Sequence, residues 1–377
     1  MRRPSGWRAE HACGRRRVAS TRGRGPVSRP ADTPTPRALA VGKLPVDVLA
    51  PLLDRLGVDD PRVVLGPGIG LDCAVVDGGD RLMVYKSDPI TFATDEIGHY
   101  LVQVNANDIA TTGAVARWLL VTLLLPEGRT TAETARGIMA QVHAACSALG
   151  IVVIGGHTEI TAGLDRPIAV GAMVGEVARE RLITPRGARA GDRLLITKGV
   201  PIEATSLLAR EFPQRLRDVL SPQELGAARD FLHAPGIGVT RDARVAITAG
   251  RVTAMHDPTE GGVASALWEM AEASALTVSV DPSRIPIPAL ARRVCVAFGI
   301  DPLASIASGA LLIAVDPADS DAVCAALRRD GIDCAAIGAL HDGPPRVERV
   351  DGGVPEIWPR PEVDAIAAVY AGACTQT

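Results

Sequence analysis

Asp72, Asp88 and Asp108 stand in strongly apolar surroundings, and that setting suggests chemistry. Asp72 precedes the strand-like Cys73-Ala74-Val75-Val76, Asp88 follows the strand-like Leu82–Lys86, and Asp108 lies within an apolar helical segment. On that helix Asn105, Asp108 and Thr112 fall at i, i+3 and i+7, a single polar face. Such a stripe is costly to bury without partners. Oxygen donors of this kind suit magnesium, which takes a few carboxylates together with water and phosphate oxygens. Each aspartate alone reads as a cap or turn residue; the three together point to a magnesium–phosphate site.

Lysine is scarce, with only Lys43, Lys86 and Lys198 against 37 arginines. Lys86 lies two residues from Asp88, so on a strand both side chains share a face. It could neutralise a phosphate there, or form a plain surface ion pair. His157 follows Gly155-Gly156 at the end of a strand and precedes Thr158 and Glu159, a setting for a general base, a phosphate-contacting loop or a structural histidine. Asp257 and Thr259 come just before a helix beginning near Gly261. Thr259 can cap that helix, and its free N–H groups form an anion site. The cluster Gly66-Pro67-Gly68-Ile69-Gly70 leads into a strand, not a helix, so the dinucleotide-binding context fails. No Gly-x4-Gly-Lys-Ser/Thr loop occurs, and any nucleotide must be held by another architecture.

The elements that must position these residues alternate between the two periods. Leu44–Leu56 repeats at helical spacing, with Gly57 suited to the left-handed residue after it. Helices are expected at Gly98–Thr112, Thr131–Leu149, Glu203–Glu211, Pro222–Leu232, Val239–Ala249, Val263–Ala273 and Ser320–Arg329. Strands are expected at Leu82–Lys86, Leu119–Leu125, Ile151–Ile154, Pro167–Val177, Arg193–Thr197, Val252–Met255, Leu276–Val280, Ala310–Val315 and Ala335–Gly338. This irregular alternation favours α+β layers. An Arg/Gly/Pro-rich stretch at 179–191 marks a joint. The expected divisions are a tail at 1–40, domains at 41–179 and 180–345, and an extension at 346–377.

The 377 residues are 47% hydrophobic, 22% charged and 3% aromatic, an ordinary globular composition with few stacking platforms for nucleic acid. Residues 1–37 carry ten arginines and about +8 of charge, leaving about −11 on the rest, a poor nucleic-acid surface. The arginine-rich segment lacks apolar periodicity and is expected to be disordered; it is either an upstream extension or an anion-binding arm. Seven scattered cysteines fit neither a disulfide framework nor a thiolate zinc site, and point to the cytoplasm. No apolar run approaches membrane-spanning length.

Five blocks in one order carry a resemblance: Gly70–Val76, Lys86–Pro89, Val104–Ala114, Gly155–Glu159 and Asp257–Gly262, followed by Ile300–Leu303 and Ser308–Leu312. Together they resemble the aminoimidazole ribonucleotide (AIR) synthase superfamily, and within it are most similar to the hydrogenase-maturation HypE family. The resemblance implies a PurM-like fold of two α/β domains with mixed sheets, and a homodimer whose N-terminal sheets pair. It also implies ATP and Mg2+ between the domains, with Asp72, Asp88 and Asp108 on the metal. Asn107, Gly155, Gly156, His157, Thr158 and Asp257 then line the nucleotide or acceptor side, beside Thr259, with Lys86, His157 and Asp257 in catalytic roles. The implied chemistry is ATP activating an amide- or carbamoyl-type oxygen as a phosphate ester, on a small-molecule or protein-borne acceptor, with a maturation partner protein. HypE proteins end in Pro-Arg-x-Cys, whereas this chain ends Ala373-Cys374-Thr375-Gln376-Thr377, and Glu260 stands where arginine is common. A phosphotransferase similar to thiamine-monophosphate kinase, or a non-catalytic nucleotide-binding scaffold, are the alternatives.

Overall fold

The computed structural model describes residue 39 and residues 42–374. The arginine-rich segment and the last three residues lie outside them. In chain order the first half holds α1 (Val46–Asp54), β1 (Val63–Leu65), β2 (Ala74–Asp77), β3 (Leu82–Ile90), α2 (Ile97–Thr111), β4 (Val115–Pro126), α3 (Ala132–Leu149), β5 (Val152–Thr161) and β6 (Ile168–Val177). The second holds β7 (Arg193–Thr197), α4 (Ile202–Glu211), α5 (Pro213–Leu216), α6 (Pro222–Asp230), α7 (Thr240–Ala249), β8 (Val252–His256), α8 (Gly262–Ser274), β9 (Thr277–Val280), α9 (Ala289–Phe298), β10 (Leu312–Val315), α10 (Ser320–Arg329), β11 (Cys334–His341), β12 (Arg346–Arg349), β13 (Glu356–Ile357) and α11 (Ala367–Cys374).

The first sheet runs β1-β2-β3-β6-β4-β5, antiparallel except for the parallel pair β4/β5. The second runs β13-β12-β9-β11-β7-β10-β8, with β12/β9 parallel. Both are mixed sheets flanked by helices, as expected. The boundary expected at residue 345 does not hold, because β12 and β13 continue the second sheet.

Strand alternation decides which side chains reach the core. On β3, Leu82, Val84 and Ile90 are buried under α2 while Tyr85 faces the opposite side. Lys86 and Asp88 share the inward row, so the strand carries them beneath the helix that bears Asp108. The helix α3 starts where Thr131 accepts a hydrogen bond from the Thr134 N–H at 3.1 Å, and stops at left-handed Gly150. Its partner α2 is buried along almost its whole length. Ile97, Leu101 and Ile109 of α2 share one apolar core with Ile202, Leu207 and Leu208 of α4. That shared core seats the second half against the first. Among the described residues the far side of the first sheet has no such cover: Tyr85, Val115, Leu120 and Val152 are 41–57% exposed. Among the described residues no helix is long and apolar enough to cross a membrane.

Several expected strand ends move, and two of the shifts bear on the site. Leu82–Lys86 extends to Ile90, so Asp88 lies within β3 and not at its end. Gly155–Glu159 is not a loop after a strand but the middle of β5, an edge strand.

Candidate functional site

The site is built where the glycine-rich turn before β2 packs against Glu269, midway along α8, beside the end of β8. Gly70 has a left-handed φ of 68°, and a Cβ there would lie 2.5 Å from the Glu269 carbonyl oxygen. Only glycine lets this turn press onto the α8 backbone. Two residues on, Asp72 is thereby delivered to His256 at the end of β8, with Oδ2 2.6 Å from Nδ1. The other ring nitrogen, Nε2, lies 2.8 Å from Glu269 Oε2 on α8. His256 is buried, and burial alone would disfavour its charge. The flanking carboxylates of Asp72 and Glu269 outweigh that, and its pKa is raised well above the usual histidine value. In the charged form both nitrogens donate, which makes His256 an ionic clamp between two carboxylates. Burial opposes the ionisation of Glu269, but Lys43 and His256 hold it down to about 2. Arg360 completes this side, 3.4 Å from Glu269 and 2.9 Å from Glu272.

Asp257, the next residue, is 1% exposed, and among the described residues neither of its carboxylate oxygens has a hydrogen-bond partner. Burial and the like charge of Asp72 push its pKa up to about 7. Ligand atoms of Asp72, His256 and Asp257 all lie within 4.8 Å of one another. On the opposite wall Lys86 Nζ bridges Asp88 Oδ2 at 3.3 Å and Asp108 Oδ2 at 3.2 Å. Burial would lower the Lys86 pKa, but Asp108 and Asp88 raise it well above its ordinary value. Asp108 itself is pushed up by burial, with Lys86 pulling the other way and Asp257, Asp72 and Asp88 adding repulsion. Asn105 anchors this wall: its Oδ1 accepts the Asp88 N–H at 3.1 Å and its amide donates to the Leu101 carbonyl at 2.9 Å.

Asp72, Asp88, Asp108, Asp257 and Lys86 therefore share one site. Four carboxylates close enough to perturb each other, with Asp257 wholly unpartnered, make a hard oxygen donor set that fits magnesium. His256 fits the metal less well, since both its nitrogens already face carboxylates.

Other expected residues lie elsewhere. Asn107 is fully buried and joins the two halves: its Nδ2 donates to the Ile237 carbonyl at 2.8 Å and its Oδ1 accepts the Val239 N–H at 2.7 Å. The backbone, not a ligand, takes up its amide. Thr259 does not cap α8; the N-cap is Gly261, whose N–H goes to Asp364 Oδ2 at 2.6 Å, so the anion site expected there is filled by the chain's own carboxylate. Thr259 Oγ1 instead accepts from Lys43 Nζ at 3.2 Å. Gly155, Gly156, His157 and Thr158 are exposed on β5. Register places Gly156, Val121, Gly171 and Asp88 in one row across four strands, so β5 is about 14 Å from β3 at ordinary strand spacing. His157 there pairs with Glu159 at 3.1 Å. The side chain of Cys374 lies outside the described set.

His256, Glu269 and Lys43 were missed by motif reading. Glu269 carries the same signal as Asp108, an acid within an apolar helix. His256 ends a buried strand and adjoins Asp257, but nothing local marks it as a clamp.

The family described as "AIR synthase related protein" matches in both parts, the N-terminal domain over residues 70–177 and the C-terminal domain over residues 189–350. The chain is similar to the carbamoyl dehydratase HypE of Escherichia coli, 28% identical over 279 residues that cover 72% of this chain and 79% of that protein. Its fold resembles HypE in a crystal structure of a HypE–HypF complex, with a TM-score of 0.66 and 18% identity over 82% of this chain and 99% of that one. It also resembles HypE crystallised with ATP, with a TM-score of 0.60 and 21% identity over 83% and 91% of the two chains. With both domains matched in order around the acidic site, the chain belongs to the AIR synthase related protein family.

Proposed function

We propose that the chain is an ATP-dependent, magnesium-requiring enzyme that phosphorylates the oxygen of an amide- or carbamoyl-type acceptor, in the manner of a carbamoyl dehydratase and in hydrogenase maturation. The unpartnered, buried carboxylate of Asp257 beside Asp72 carries this reading, because a buried anion of that kind calls for a cation. The relative named carbamoyl dehydratase and the HypE structure with ATP support it.

Asp72, Asp88, Asp108 and Asp257 would hold Mg2+, which when bound offsets the charge of the phosphates. Lys86, fixed between Asp88 and Asp108, adds a positive charge on the same wall. The acceptor oxygen attacks the terminal phosphorus, ADP leaves and the nitrogen gives up one proton. The phosphate then departs with that oxygen as the nitrogen gives up its second proton, a net dehydration. The test is ATP turnover with candidate carboxamides: Asp88→Asn should abolish it with the fold intact, and turnover equal to the wild type would overturn the assignment.

The open apolar face of the first sheet fits a second copy of the chain, making a homodimer with His157 and Thr158 at its edge. A monomer in light scattering would contradict this. The HypE–HypF complex supports a maturation partner protein as well.

A further inference from the structure

The mouth of the acidic site is crossed by the residues just before α1. The Lys43 N–H donates to Glu260 Oε2 at 2.9 Å, fixing the backbone there. Its ammonium then lies 3.2 Å from Thr259 Oγ1 and 3.5 Å from Glu269 Oε1. Glu269 in turn contacts His256, which contacts Asp72, so Lys43 is joined to the Asp72–Asp257 centre through two side chains.

The positive groups of this region differ in how far they are already used. The Lys86 side chain is 14% exposed and held by two carboxylates. His256 is buried between two more, and Arg360 is pinned to Glu269 and Glu272. The Lys43 side chain is 50% exposed, with one carboxylate at the outer limit of contact and one hydroxyl. An ammonium has three donors, and among the described residues two are engaged, leaving one for a ligand. The site beneath is lined by Asp72, Asp88, Asp108, Asp257, Glu260 and Glu269, and a polyphosphate entering it meets repulsion that a metal ion alone must offset. A compact, strongly hydrated cation at the entrance lowers that barrier at the anionic end of the ligand.

We propose that Lys43 is a ligand-binding residue that contacts the phosphate end of a nucleoside polyphosphate, with Thr259 and Glu269 holding its ammonium in place. The assignment rests on the nucleotide reading above and extends it to a residue outside the acidic motifs. It makes the short segment before α1 part of the binding site.

Calorimetric titration of the full chain with ATP, ADP and adenosine in magnesium chloride tests it. Lys43→Met is expected to weaken ATP about tenfold or more, ADP less and adenosine not at all, the scale of one charge-assisted hydrogen bond. Lys43→Arg should recover most of the ATP affinity. An equal loss for all three ligands, or no loss for ATP, overturns the proposal. A thermal unfolding midpoint equal to the wild type shows that the effect is local, and Lys43→Gln serves as the second variant if Lys43→Met folds poorly. Wild-type chain that binds none of the three brings down the nucleotide reading and this assignment with it. Wild-type binding with a flat response to Lys43→Met brings down this assignment alone.

Discussion

The imidazole of His256, from the second sheet, faces the carboxylate of Asp72, from the turn before β2, with Nδ1 and Oδ2 2.6 Å apart across 184 residues of sequence. Its other nitrogen faces Glu269. One side chain thus holds two acids, and removing it strands both. His256→Ala should lower unfolding free energy by about 3–5 kcal/mol, the range for breaking a buried ion pair. Urea unfolding followed by circular dichroism checks this; a loss below about 1 kcal/mol would show that the clamp contributes little.

Asp257 should behave in the opposite sense. Among the described residues its buried carboxylate accepts no hydrogen bond, so Asp257→Asn removes a charge that burial and Asp72 disfavour. At pH 8 the variant should gain about 1–3 kcal/mol in stability while losing about 100-fold or more in ATP turnover. A variant that is both less stable and fully active would refute the role given to this residue.

Asn107 should prove structural. Replacing it with Ala leaves the Ile237 carbonyl and the Val239 N–H unpaired at the junction of the two halves. A loss of about 1–3 kcal/mol is expected, with the KM for ATP unchanged in the folded fraction. A selective rise in KM without loss of stability would restore a direct cofactor role.

Glu203 supplies a pH dependence away from the acidic site. Burial raises its pKa from 4.5 to about 7, against the hydrogen bond from the Ser308 N–H. Between those values the folded state keeps a proton that the unfolded chain has released. Stability from this group is complete below pH 4.5, falls as pH rises through about 7 and is level above it. Glu203→Gln should therefore match the wild type near pH 4.5 and exceed it by about 3 kcal/mol at pH 8. Parallel stability curves for the two proteins would contradict the shift.

Much of this architecture follows from local pattern. Helices α2, α3, α7, α8 and α10 lie within a residue or two of where apolar spacing, Thr131 and Gly150 place them. Asp108 is conspicuous as a charge in an apolar helix, and the pairing of Lys86 with Asp88 follows from their two-residue spacing on a strand. The strands β12 and β13 are less legible, being short, polar and recognisable only by the sheet they join.

Residue type and spacing alone determined the sheet–helix character of the chain and singled out the acids Asp72, Asp88 and Asp108 as a set that points to a cation. These depend on periods of 2 and 3.6 residues and on the cost of burying charge, all local quantities. Tertiary structure decided that Gly155–Glu159 is an exposed edge strand and that Asn107 is a clamp between halves. It also decided that Asp364 fills the start of α8, and that His256, Glu269 and Lys43 meet at the site. Those outcomes join residues up to 226 positions apart through Gly70 packing, sheet order and a shared core. Contacts of that range depend on how whole elements stack, which no single stretch of chain encodes.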